Sequence, residues 1–447
     1  MFFSVEDKEK AGGPKVLGKR FGRLAGNDYF CNSREKITMQ HFIVIGITDH
    51  PEPYFTPEVL QIISSGRVFS GGRRHHAIVG PLLPSAARWI DIAVPLDAVF
   101  EAYAAHAATQ EGRQGEPVIV FASGDPLFFG FANTIRRRLP EAHVVVYPTF
   151  NSLQMLAHRL LMPYHDMRIV SLTGRPWPEF DRALIEGAPK IGVLTDRDHT
   201  PAAIARRMLD YGYTSYNMFV GEQLGNAAQE RVTTLTLGEA ARRHFALPNC
   251  LMLVQAGALR PRPFGIPDSQ FALLDGREKM ITKMPIRLLT LQALQLPRRH
   301  VFWDIGFCTG SVSIEARLQF PHLQVCSFEV RPECEAIIRE NARHFGAPGI
   351  DVHIGDFLLA DLTGLPHPDA VFIGGHGGRL KEIMEKVLTV LSADGVIVFN
   401  SVTSPKVAVD SRLLWDDACQ ALGLRQDPAE DIQLDNYNPI EILRCKR

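Results

Sequence analysis

The sequence predicts an α/β protein built from two successive units, the first split into two lobes and the second a doubly wound sheet. Three observations lead there. Short apolar runs such as HFIVIGI (His41 to Ile47), PVIVF (Pro117 to Phe121) and VFW (Val301 to Trp303) alternate with amphipathic segments of helical period, the pattern of a mainly parallel sheet. Several of these runs end directly in glycine-containing turns, as strand-end loops of such sheets do. An Arg- and Pro-rich stretch without period, ALRPRPFGIP, separates the two units.

Residues 1–38 are polar, net basic and without period, and read as a flexible arm. The first unit spans 39–255. Its strands are expected at His41 to Ile47, Arg67 to Ser70, Pro117 to Phe121 and Val144 to Tyr147, and, after a break near 163–167, at Arg168 to Leu172, Lys190 to Leu194, Met218 to Val220 and Cys250 to Gln255. Thr200 followed by Pro201 opens a helix that Gly212 ends. Residues 256–270 read as an extended linker. The second unit, 271–447, begins with an amphipathic helical stretch from Phe271 to Leu296, interrupted at Thr282 to Pro285. Strands follow at Val301, Gln324 to Glu329, Ile350 to Ile354, Ala370 to Ile373 and Val396 to Asn400, and a hairpin (Arg425 to Asp431, Ile440 to Arg444) closes the chain.

Bulk properties narrow the function classes. Of 447 residues, 46% are hydrophobic and 22% charged, ordinary for a globular protein. A formal net charge of -1 offers no general attraction to nucleic acid or acidic membranes. Seven cysteines without a CxxC pair argue against a metal site or disulfide framework and for a reducing cytoplasm. No run approaches the roughly 18 apolar residues of a membrane span.

The most informative stretch is Val301 to Glu315, VFWDIGFCTGSVSIE. A strand ends in Asp304, the chain turns through Gly306, Phe307, Cys308, Thr309 and Gly310, and a helix begins at Ser311. Glu329 follows at the end of the next strand, where a carboxylate can accept both hydroxyls of a ribose. There is neither a P-loop lysine nor the second glycine of GxGxxG. The loop therefore suits a nucleoside without pyrophosphate, and S-adenosylmethionine is the commonest such cofactor. Asp356, beside Phe357 in the next strand-end loop, is placed to accept from an adenine amino group, or else caps a helix. Gly374 to Gly378 surrounds His376 with four glycines. Gly375 and Gly377 offer backbone N–H groups to an anionic substrate, and His376 is the candidate catalytic residue. In the first unit, Gly46 closes the first strand and Ser123-Gly124-Asp125-Pro126 forms a sharp turn. Ser152 lies in the loop after the Val144 strand. Arg73, Arg74 and His75 form a cationic corner suited to a polycarboxylate, or a solvated loop.

The runs GGRRH, SGDPLFFG, PTFNSLQ, LTD with TPAAIA, and GEQLG resemble the tetrapyrrole methylase family, in its cobalt-precorrin carbon-5 methyltransferase branch. ITKMPIR, DIGFCTGSVSIE and FIGGHGG resemble the companion carbon-15 methyltransferases, which also remove an acetate carboxyl at carbon 12. In this order they resemble the fused carbon-5, carbon-15 methyltransferases of cobalamin biosynthesis. The resemblance implies a two-lobed tetrapyrrole methylase domain, then a Rossmann-like S-adenosylmethionine-dependent methyltransferase domain. It also implies a precorrin or cobalt-precorrin substrate and a homo-oligomer. Cofactor contacts would fall on Ser123 to Pro126 in the first domain, and on Thr282, Gly306 to Gly310, Glu329, Asp356 and Phe357 in the second. Arg331 and Lys406 are further candidates to hold peripheral carboxylates. Two positions depart from the family pattern: Cys308 replaces a glycine, and the first-strand loop reads Gly46-Ile47-Thr48-Asp49 rather than carrying a glycine pair. Alternative functions are an RNA or protein methyltransferase with an N-terminal recognition module, which the neutral charge disfavours, and a tetrapyrrole carrier without turnover.

Overall fold

The computed structural model describes residues 40–109, 115–402, 411–433 and 440–446. The expected arm at 1–38 and Lys406 lie outside them. Three sheets carry the fold. The first contains β1 (His41–Ile47), β2 (Val68–Gly71), β3 (Arg88–Asp91), β4 (Val118–Ser123) and β5 (His143–Tyr147) in the order β3-β2-β4-β1-β5, all parallel. Both faces are covered, so β1 and β4 are continuously apolar. Phe42, Val44, Val118 and Val120 pack on one face with Tyr103, while Ile45, Ile47, Ile119 and Phe121 pack on the other with Ile63 and Phe69. That is the two-residue period of a strand.

The second sheet corrects the expectation of a mainly parallel arrangement. It holds β6 (Arg168–Ser171), β7 (Lys190–Leu194), β8 (Tyr216–Glu222), β9 (Arg231–Thr236) and β10 (Asn249–Gln255) in the order β6-β7-β10-β8-β9. Only the β6–β7 pair is parallel. The reason is local: β8 and β9 are joined by a short connection that suits an antiparallel pair, and β10 inserts antiparallel between β7 and β8, the two strands that the helix Pro201–Asp210 connects.

The third sheet is doubly wound. Its strands β11 (Val301–Ile305), β12 (Gln324–Glu329), β13 (Ile350–Ile354), β14 (Ala370–Ile373) and β15 (Val396–Val402) run parallel in the order β13-β12-β11-β14-β15. The sheet is extended by antiparallel β18 (Ile440–Lys446), with β16 (Arg425–Gln426) and β17 (Glu430–Ile432) pairing to it. Strand order reverses between β11 and β14, which opens a crevice at their carboxyl ends.

The stretch after Phe271 is not one interrupted helix. Short 3-10 turns occupy Asp268–Gln270, Leu274–Gly276 and Glu278–Met280, with Asp275 at φ 50°, and the α-helix runs only from Met284 to Ala293. Phe271, Leu274 and Ile281 are buried in a core shared with Phe180 and Tyr213 of the first unit and Phe345 of the second. Their spacing reflects that interface rather than a helix face. Nor is the segment before it a free spacer. Ile266 is fully buried, Arg260 Nη1 donates to Tyr211 O at 3.0 Å, and Tyr213 Oη donates to Gly346 O at 2.6 Å. Buried Asp181 accepts both Arg207 Nε and Nη2 at 2.6 Å beside buried Arg317. No helix among the described residues is long and apolar enough to cross a membrane.

Candidate active sites

At the crevice of the third sheet, a cavity of about 770 Å³ is lined by the β11 turn, Glu329, Asp356 and the His376 loop. Gly306 (φ 81°) makes it possible: a methyl group there would stand 2.5 Å from the Gly375 nitrogen, so the two loops touch backbone to backbone. Cys308 takes the left-handed conformation (φ 49°) that glycine adopts without strain. Its side chain sits in the shared core with its thiol against Cys334, and the cavity stays open. Gly310 (φ 73°) is not on the cavity wall; a methyl group there would stand 2.3 Å from Ile338 Cγ1, so it serves helix packing behind the turn. Phe307, Thr309, Thr282 and Phe357 line the cavity.

Asp304 is buried and holds the turn to the following helix, its Oδ2 accepting from Ser313 Oγ at 2.5 Å. Among the described residues its Oδ1 has no partner, and burial pushes the carboxyl up to about 7. Glu329 is fully engaged. Oε1 accepts from Val330 N (2.9 Å), Arg331 N (3.2 Å) and Arg331 Nε (2.9 Å); Oε2 accepts from Cys308 N (3.0 Å) and Arg331 Nη2 (2.7 Å). Burial raises its pKa, and these donors more than offset that to hold it below its usual value. Asp356 takes the capping role, Oδ1 accepting from Leu358 N at 3.0 Å at the turn Phe357–Leu359, and the residue also lines the cavity. Its Oδ2 accepts from Arg379 Nη1 at 3.0 Å, a residue that carries no motif in the sequence.

The glycine loop is a poorer anion nest than its composition suggests. The N–H groups of Gly374 and Gly375 donate to Ile305 O (2.7 and 3.3 Å), and that of Gly378 to His376 Nδ1 (3.1 Å). The first two extend the β11–β14 pairing. Gly375, His376 and Gly377 do line the cavity, and burial lowers the pKa of His376.

A second cavity, of about 470 Å³, lies between the lobes of the first unit. Ser123, Gly124, Ser152, Arg74 and His75 line it. Gly46 sits beneath, off the cavity wall, where a methyl group would stand 2.1 Å from Gly124 O, so the two strand-end loops meet backbone to backbone. Asp125, Pro126 and Arg73 are off the wall; Asp125 Oδ1 instead accepts from Leu127 N at 2.8 Å, closing the turn. The cationic corner is not a loop but the first turn of the helix Arg73–Val79. Arg74 pairs with Asp49 (2.6 Å) and donates to Ser123 Oγ (2.8 Å), which also lies 2.9 Å from His75 Nε2. Burial and the Arg74 charge lower the His75 pKa to about 4.

Both sites suit an adenosyl group: a glycine-lined backbone approach in each, and in the larger an unpartnered buried carboxylate oxygen. Residues 41–241 match the family model for tetrapyrrole (corrin/porphyrin) methylases, and 275–418 the precorrin methyltransferase domain. A precorrin-6Y C(5,15)-methyltransferase [decarboxylating] from Sinorhizobium sp is 36% identical over 387 residues, 85% of this chain and 88% of that protein. The protein of the same name from Mycobacterium tuberculosis is 30% identical, covering 65% of this chain and 71% of its own length. A solved precorrin-6y C5,15-methyltransferase structure from Geobacter metallireducens GS-15 is 33% identical, with a TM-score of 0.37, covering 42% of this chain and 99% of that one. With two methylase blocks in order and a relative matched over most of both lengths, the chain belongs to the precorrin-6Y C(5,15)-methyltransferase (decarboxylating) family.

Proposed function

We propose that the chain methylates a precorrin or cobalt-precorrin at carbons 5 and 15 and removes the carbon-12 acetate carboxyl, using S-adenosylmethionine in both cavities. The observation that carries this is the pair of separate strand-end cavities, one per unit. When bound, the cofactor supplies an electrophilic methyl group, and the macrocycle's conjugation supplies the nucleophilic carbon. The protein's task is then orientation and exclusion of water, which fits the absence of a nucleophile–base pair among the motifs.

In the larger cavity, Glu329 would hold the ribose, Asp356 the adenine amino group and Asp304 Oδ1 the methionine ammonium. Because His376 Nδ1 accepts from Gly378 N–H, the neutral ring carries its proton on Nε2. It can thus donate to charge that develops as the carboxyl leaves. In the smaller cavity His75 Nδ1 accepts from Gly72 N–H at 3.3 Å, so its Nε2–H donates to Ser123 Oγ alongside Arg74. With two donors on its lone pairs, the Ser123 hydroxyl hydrogen is turned outward to a ligand acceptor.

Product mass spectrometry tests the assignment. Wild type should add two methyl groups and lose carbon dioxide. Gly124→Val should retain only the C-terminal methylation and decarboxylation, and Gly306→Val only the N-terminal methylation. Loss of both activities in each variant would reject one site per unit.

A further inference from the structure

We propose that Arg331 is a place-holder on the ribose carboxylate, displaced by the cofactor and handed to a peripheral carboxylate of the tetrapyrrole. This rests on the reading of the larger cavity as a S-adenosylmethionine site. A carboxylate offers about four lone-pair positions, yet Glu329 already receives five N–H donors. No acceptor position is left for a ribose diol.

Three of the donors are backbone groups of Cys308, Val330 and Arg331, fixed by the turn and by β12. The two that can leave are Nε and Nη2 of the Arg331 side chain, which is one-third exposed and lines the same cavity. Adenosine must therefore expel the guanidinium. It cannot return to Glu329 while the ribose is there, and a two-pronged cation facing the cavity seeks another carboxylate. The proposed substrate carries at least the carbon-12 acetate carboxylate, so the expelled guanidinium gains a partner when the macrocycle is present. Arg379 on Asp356 looks similar but does not carry the same inference. Each Asp356 oxygen accepts one bond, leaving room for an adenine amino group beside the arginine.

The consequence is coupled binding with the cofactor first. One residue opposes the cofactor and favours the substrate, so its loss should move the two affinities in opposite directions. A residue that merely braces Glu329 would move both the same way or leave the substrate untouched.

Isothermal titration of the full chain with S-adenosylhomocysteine, in a Gly124→Ala background that weakens the N-terminal site, reads the first affinity. The KM of the carbon-15 step for the precorrin turned over by wild type reads the second. Arg331→Gln should bind S-adenosylhomocysteine about three- to tenfold tighter. It should also raise KM for the tetrapyrrole about tenfold or more, with kcat within about twofold. Arg331→Lys, which keeps the charge, should recover part of the KM. Equal or weaker S-adenosylhomocysteine binding by Arg331→Gln, or an unchanged KM, overturns the handover. Failure of wild type to bind S-adenosylhomocysteine at the C-terminal site overturns the reading of the cavity itself.

Discussion

Cutting Glu315 should show how the larger cavity is held in shape. Glu315 and Arg287 are both fully buried and paired through Nε and Oε2 at 2.8 Å. Glu315 also accepts from Gly265 N (2.6 Å) and Ile266 N (3.3 Å), while Arg287 donates to Thr282 O (2.8 Å), Ile266 O and Asp268 Oδ1 (3.2 Å). The pair thus ties the inter-unit segment and the Thr282 wall to the helix Ser311–Gln319 that leaves the glycine turn. Glu315→Ala leaves a buried guanidinium whose one remaining carboxylate partner among the described residues is Asp268, itself a quarter exposed. Breaking a buried pair from one side costs about 3–5 kcal/mol. Two orphaned backbone N–H groups add about 1–3 kcal/mol each unless water reaches them. A loss of at least about 3 kcal/mol in urea-induced unfolding is expected. Glu315→Gln, which keeps shape and an acceptor, should lose less, yet still weaken S-adenosylhomocysteine binding through Thr282. The double replacement Arg287→Met with Glu315→Met removes both charges and should recover most of the stability, since hydrophobic substitutes for buried pairs are often neutral. A loss below about 1 kcal/mol for Glu315→Ala, or a double variant no better than the single one, would refute the reasoning.

Other consequences follow from the two cavities. Gly306→Ala forces a side chain into a left-handed position 2.5 Å from the Gly375 nitrogen; S-adenosylhomocysteine binding to the larger cavity should fall at least about tenfold by titration, with the N-terminal site unaffected. Asp304, with its folded-state pKa raised to about 7, binds a proton that the unfolded chain has lost. Its contribution to stability is therefore full below the usual aspartate value and lost as pH rises through about 7. Asp304→Asn should flatten that part of the pH–stability curve in denaturant titrations. His75 has the opposite sign. Its folded-state pKa lies near 4, below the ordinary 6.5, so stability is present above 6.5 and is lost as pH falls toward 4. His75→Gln should remove that slope and lower carbon-5 methylation, read by product mass, by misorienting the Ser123 hydroxyl.

The sequence by itself determined those features that depend on neighbours along the chain. The apolar run Val301 to Trp303 ending in Asp304, Gly306 and the position of Glu329 at the end of the next strand specify a strand-end crevice because strand length, turn conformation and parallel pairing are local or nearly so. Four strands of the first parallel sheet were legible for the same reason, β1 and β4 being apolar on both faces, whereas the edge strand β3, with two exposed charges in four residues, was not. What only the tertiary structure decided is pairing across long separations. Phe271, Leu274 and Ile281 imitate a helix face because burial against Phe180 and Phe345 needs apolar residues at irregular intervals, which a one-dimensional pattern cannot distinguish from period 3.6. The antiparallel place of β10 depends on the two strands that flank it, β7 and β8, and its own residues do not encode that. Whether Ser123, Arg74 and His75 meet, or Asp356 finds Arg379, depends on loops from different strands converging at one sheet edge. Charge and hydrogen-bond balance at a site is set in three dimensions, so the acceptors were readable in the sequence while most of the donors that compete for them were not.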